Sequence, residues 1–188
     1  MKKLIVKTTA ITLGILIVVT ASFYLLLSCF SPSVLGDVYF QTQNARLSIK
    51  YSEKAYQKTN DISDLATLVE RCIVFDDDDK ALYFGVSLIN DKDYSSLLKL
   101  KSDGYHYYIV GIICEIQYLK GNRQTALQTA FSNTGEYVAY NPVHKLILIS
   151  AQNDDTDSLI AIKTYLQQKD NDNQLISKHV SLIEQLIN

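Results

Sequence analysis

TTAITLGILIVVTASFYLLLSCF, residues 8–30, contains no side chain that is charged at pH 7. Its 23 positions are mostly Ile, Leu, Val and Ala, and roughly 20 such residues in a helix cross the hydrocarbon core of a bilayer. A helix that is oily on every face has no use on the surface of a small soluble fold. The stretch therefore reads as a transmembrane helix, preceded by a short N-terminus, residues 1–7, carrying Lys2, Lys3 and Lys7. Positive charge before the span, with none shortly after it, places the N-terminus in the cytoplasm and the rest of the chain outside it.

Three fates of this segment are consistent with the residues. An apolar run longer than the usual core of a signal peptide favours an uncleaved signal anchor. Val34-Leu35-Gly36 offers small or modest residues for a cut before Asp37. Leu26-Leu27-Ser28-Cys29 is similar to the bacterial lipobox, which implies a lipid on Cys29 after cleavage. Each fate leaves the main domain outside the cytoplasm. Ala10 and Gly14 supply one small-xxx-small pair for a neighbouring span.

Beyond residue 36 the chain holds 15 Lys and Arg against 20 Asp and Glu, a net charge of about −5. That sign opposes attraction to phosphate backbones, so no nucleic-acid partner is expected. Two prolines and seven glycines in 188 residues are too few for a turn-rich β-sandwich. The apolar residues instead recur at helical spacing. Ser31-Pro32-Ser33 ends the span, residues 31–37 form a linker, and one helical domain follows over 38–188.

Its first helix is expected over 37–59, with Leu47, Tyr51 and Ala55 inward. Asp61 caps a second carrying Leu65, Leu68, Val69 and Cys72. A third presents Leu82, Gly85, Val86 and Ile89, and a short helix covers 94–101. Residues 105–119 are the most apolar stretch of the domain and are expected to form its central core helix. A partner helix over 123–132 turns Ala126, Leu127, Ala130 and Phe131 inward. Pro142 opens the next, where its missing N–H costs nothing, with Val143, Leu146, Ile147 and Ser150 on one face. Helices over 158–169 and from Leu175 onward complete about nine. The fold class is all-α, an α-hairpin array.

Tyr118-Leu119-Lys120-Gly121-Asn122-Arg123-Gln124-Thr125-Ala126-Leu127 resembles the turn and second helix of a tetratricopeptide repeat. Asp79-Lys80-Ala81-Leu82 and Asn60-Asp61-Ile62-Ser63-Asp64-Leu65 resemble degenerate versions of the same unit. The separations of Leu65, Leu82, Leu127 and Leu159 are compatible with a period near 34. The resemblance implies an α-solenoid that binds protein or peptide on a concave face, and it implies no reaction.

Other signals are read more plainly. Asp76–Asp79 lacks the Gly and Glu of a calcium loop and serves to cap a helix; Asp154–Asp157 and Asp170–Asn173 are read alike. His106, His144 and His179 have no paired-ligand spacing, so neither metal nor cofactor is expected. Cys72 and Cys114 read as small buried hydrophobes, with a disulfide between them the alternative outside the cytoplasm. No nucleophile elbow or phosphate loop is present, so no enzymatic activity is expected.

Thirteen Tyr against six Phe is a bias toward rings with a polar tip. Tyr105, Tyr107, Tyr108, Tyr118, Tyr137 and Tyr140 are the candidate lining of a protein- or peptide-binding groove, because Tyr gives contact area with little rotamer entropy. The alternative is that they fill gaps between helices with their hydroxyls at the surface. The expected function is a membrane-anchored, extracytoplasmic binding or scaffolding module. The alternatives are an accessory or catalytic subunit of a cell-envelope enzyme and a lipoprotein adaptor held through Cys29.

Overall fold

The computed structural model describes residues 2–133, 142–169 and 174–187. Among them there are eleven helices and no strand: α1 (Lys2–Phe30), α2 (Pro32–Gln41), α3 (Ala45–Thr59), α4 (Ile62–Val74), α5 (Asp78–Ile89), α6 (Tyr94–Leu98), α7 (Tyr105–Leu119), α8 (Arg123–Ser132), α9 (Pro142–Gln152), α10 (Thr156–Gln167) and α11 (Gln174–Ile187). The protein is all-α with an N-terminal apolar helix. Within α1, Ile11–Phe30 is long and apolar enough to cross a membrane, and none of it is buried.

The chain divides into two compact units, Met1–Arg71 and Cys72–Asn188. In the first, the expected single helix over 37–59 is two helices. Gln43 takes a left-handed conformation at φ 57°, and Asn44 caps α3 by accepting from the Leu47 N–H at 3.2 Å. Pro32 opens α2 rather than merely closing the span, so residues 31–37, read from sequence as a linker, hold the start of that helix. α2 packs on α3 and buries Leu35 and Gly36, while α3 buries Ser48, Ile49, Tyr51, Ser52 and Ala55.

The second unit is built around α7, as its apolarity demands. Nine of its residues are buried, and it packs against α5, α8 and α9. The core continues through Ala126 and Ala130 of α8, Val143, Leu146 and Ile147 of α9, Leu159, Ile162 and Leu166 of α10, and Ile176 and Ile183 of α11. α5 departs in part from the expected face. Gly85 is buried as expected, together with Ala81 and Leu88, while Leu82, Val86 and Ile89 are only half covered. Small residues bring helix axes close together, so the alanine and glycine serve as the contact stripe. Cys72 and Cys114 are both buried, and burial pushes the Cys114 thiol up to about 12.

One turn recurs between the helices. A left-handed residue ends a helix and the Asn or Asp after it takes the N-cap position of the next: Gln43-Asn44, Asn60-Asp61, Asp76-Asp77, Gly121-Asn122 and Asp154-Asp155. In four of these the capping residue's N–H reaches back five positions, to the carbonyls of Tyr39, Cys72, Gln117 and Ser150, at 2.8 to 2.9 Å. This is the six-to-one bond of a Schellman motif. Two of the acidic turns are thus helix caps: Asp77 accepts from the Lys80 N–H at 3.3 Å and Asp155 from the Ser158 N–H at 3.2 Å; Asp170–Asn173 lies outside the described residues.

Candidate functional site

Rotating α5 onto its small residues leaves its other apolar edge uncovered. Leu82 and Val86 form the floor of a groove of about 480 Å³, completed by Asp79, Tyr83 and Ser87 of α5, Gln117 of α7, and Asn122 and Thr125 at the start of α8. Tyr83 is 69% exposed on its rim, its ring held edge-on against Phe84 at 4.9 Å. The Lys120 ammonium meets Asp79 Oδ1 at 2.5 Å. That partner holds the lysine above its usual range.

The polar groups of the groove are incompletely used. Gln117 is 93% buried, and its Oε1 has no hydrogen-bond partner. An orphaned buried acceptor costs about 1–3 kcal/mol. Asn122 occupies the cap position of α8 without making a side-chain cap bond, which leaves its amide for other contacts. The groove thus sets the Gln117 and Asn122 side chains beside the apolar Leu82 and Val86. No His or Cys lines it.

The four described tyrosines among those chosen from sequence all lie on α7. Tyr105 is buried at the start of α7 with Lys101 Nζ 4.8 Å from its ring centroid. Tyr107 stands edge-on to His106 at 5.4 Å, and Tyr108 is exposed. Tyr118 lies 13 positions from Tyr105, about 20 Å along the helix, and is buried, its hydroxyl donating to Asp155 Oδ2 at 2.7 Å. Tyr137 and Tyr140 lie outside the described residues. Cys29 is exposed on the last turn of α1. The groove residues escaped the sequence reading because they join only in three dimensions; the available signal was a lone Gln inside the apolar run 105–119.

The histidines are not all scattered. His144 Nδ1 and His179 Nε2 approach to 3.1 Å between α9 and α11, with the rings edge to face at 5.2 Å. No group of three or more metal-ligating side chains occurs among the described residues. Burial, and then the neighbouring His179, hold His144 below its ordinary value of 6.5. The unfolded chain thus binds this proton more readily than the folded one. The contribution to stability is present above about pH 6.5 and is lost as the pH falls below it. Thermal melts between pH 7.5 and 5.5 are expected to show a falling Tm, with a shallower fall in His144→Gln. Some slope persists, because burial lowers His106 too; an unchanged slope in the variant would assign the whole effect elsewhere.

No protein-family model, curated protein or solved structure matches the chain.

Proposed function

We propose that the chain is a single-span membrane protein whose cytoplasmic N-terminus leads, through α1, to an extracytoplasmic helical-repeat region that binds an extended peptide segment of a partner protein in the α5–α7–α8 groove. The orphaned Gln117 acceptor above the Leu82–Val86 floor carries this reading. The recurring left-handed turn with its Asn or Asp cap supports a tetratricopeptide-like array. Its spacings of 17, 16, 45 and 33 positions fit half-units and units of about 34, with extra residues around α6. For orientation, three lysines precede the span, while only Arg46 and Lys50 follow Phe30 within about 20 residues.

A photoreactive amino acid at position 83 tests the groove in intact membranes. A discrete crosslinked adduct is expected, lost in Gln117→Leu. That variant removes the unsatisfied oxygen, so its Tm is expected to stay level or rise by the equivalent of about 1 kcal/mol. An adduct that survives Gln117→Leu, or none at all from position 83, would remove the groove from the account. Orientation is checked by alkaline phosphatase fused after Asn188: activity in cells is expected, and its absence in cells making the fusion would reverse the topology.

A further inference from the structure

His144 and His179 stand 35 positions apart in the chain, a spacing that carries no ligand pattern, yet α9 and α11 deliver them to one point. The facing nitrogens, His144 Nδ1 and His179 Nε2, are 3.1 Å apart. Each ring is held in place by packed neighbours on its own helix. Val143 precedes His144 and Ile147 follows it by one turn, and both are fully buried. Ile176 and Ile183, one turn either side of His179, belong to the same core. The rings themselves are half-buried. The pair therefore sits at the rim of the core, fixed from behind and within reach of water.

Two kinds of link join neutral imidazoles at this separation. One is a hydrogen bond, which uses the N–H of one ring and the lone pair of the other. The other is a metal ion held by both lone pairs. With metal–nitrogen bonds of about 2.0–2.1 Å, neighbouring ligands in square or tetrahedral geometry stand about 2.8–3.4 Å apart, and the observed distance falls within that range. The rings need only turn until both lone pairs face the ion. The proton of the hydrogen bond moves to the far nitrogen of its own ring, so the neutral pair becomes two ligands with no proton lost. Imidazole suits copper, nickel and zinc, whereas Mg²⁺ and Ca²⁺ take oxygen ligands. No group of three ligating side chains stands among the described residues, so water fills the remaining positions of the ion.

We propose that His144 and His179 form a binding site for a divalent transition-metal ion of the copper, nickel and zinc group, which ties α11 to α9. The site shares no residue with the peptide groove and stands whether or not that groove holds a partner.

The test uses the full, untagged chain in detergent micelles, stripped with a chelator and given Ni²⁺. Calorimetric titration is expected to show a single ion bound per chain. At a Ni²⁺ concentration a hundredfold above the dissociation constant, the Tm is expected to rise by about 5 °C. Mg²⁺ at the same concentration should leave it level. H144Q and H179Q should each weaken Ni²⁺ binding by about tenfold or more and at least halve the Tm rise. H106Q, which alters the third histidine of the chain, should keep both. Pulsed EPR of the parent chain with Cu²⁺ needs no variant to fold, and two coordinated imidazoles are expected in its spectrum. No Tm rise with Ni²⁺, an equal rise with Mg²⁺ or in H144Q or H179Q, or fewer than two imidazoles on Cu²⁺ would each overturn the site and leave the pair a plain hydrogen bond.

Discussion

Asp155→Ala is expected to cost about 2–4 kcal/mol, a large loss for a polar residue. Asp155 is buried and serves three helices at once. It caps α10 through the Ser158 N–H and accepts from the Ser158 hydroxyl at 2.7 Å. It accepts the Tyr118 hydroxyl of α7, and Arg123 of α8 approaches at 3.3 Å while lying 5.4 Å from the Tyr118 ring centroid. Removing the carboxylate loses a cap, about 1 kcal/mol, and strands the Tyr118 hydroxyl in the interior, about 1–3 kcal/mol more. Denaturant melts should show the double variant Asp155→Ala/Tyr118→Phe less destabilised than the sum of its singles, because the stranded donor is then gone. Additive losses would mean the two groups act separately.

The same cluster sets an acid limit. Burial alone would raise the Asp155 carboxyl, but the bonds from Tyr118 and from the side chain and backbone of Ser158, with the charge of Arg123, outweigh it and hold it below its usual range. Its stabilisation is therefore complete above about pH 4 and disappears as the pH falls through the folded-state value. Asp155→Asn keeps an acceptor for the cap and should flatten that acid limb.

The second large effect is a coupling. Gly to Ala within a helix ordinarily adds about 1 kcal/mol of stability. At Gly36 of α2 the sign is expected to reverse, at about 2 kcal/mol of loss. A Cβ there would collide with Arg71 Nη1 and stand 3.3 Å from Ser52 Oγ. The guanidinium cannot swing aside cheaply: it is buried, paired with Asp37, bonded to Ser52, and 5.5 Å from the centroid of the Phe40 ring. Arg71→Met empties that space. Asp37 is 63% exposed and recovers its hydration, while Ser52 keeps its bond to the Ser48 carbonyl at 2.8 Å. Arg71→Met alone should thus cost only about 1–2 kcal/mol, and Gly36→Ala should turn neutral or favourable on that background. Equal losses with and without Arg71 would refute the steric account.

These effects mark where sequence reasoning reached its limit. The central position of α7 was legible because 105–119 is apolar on nearly every face. The caps were legible because Asn and Asp stand at the turns. The break between α2 and α3 was hidden: Thr42-Gln43-Asn44 contains neither Gly nor Pro, and a left-handed Gln is an uncommon device. The inward face of α5 was misjudged in part because Ala81 registers weakly as hydrophobic, although small size is what close packing selects. Tyr118 and Asp155, 37 positions apart, and the groove shared by residues 79–87 and 117–125 exist only through tertiary folding. Tyr83 therefore drew no attention among thirteen tyrosines, and Gln117 signalled only as an oddity.

The junction at Ser31 has a mechanical consequence. Only that residue separates α1 from α2, and Lys54 and Lys58 clamp the last turn of α1 from the side. The N-terminal rod is welded to its neighbours rather than strung to them on slack chain. A twist or tilt of α1 is consequently handed directly to α3, so the first unit behaves as a handle on a shaft.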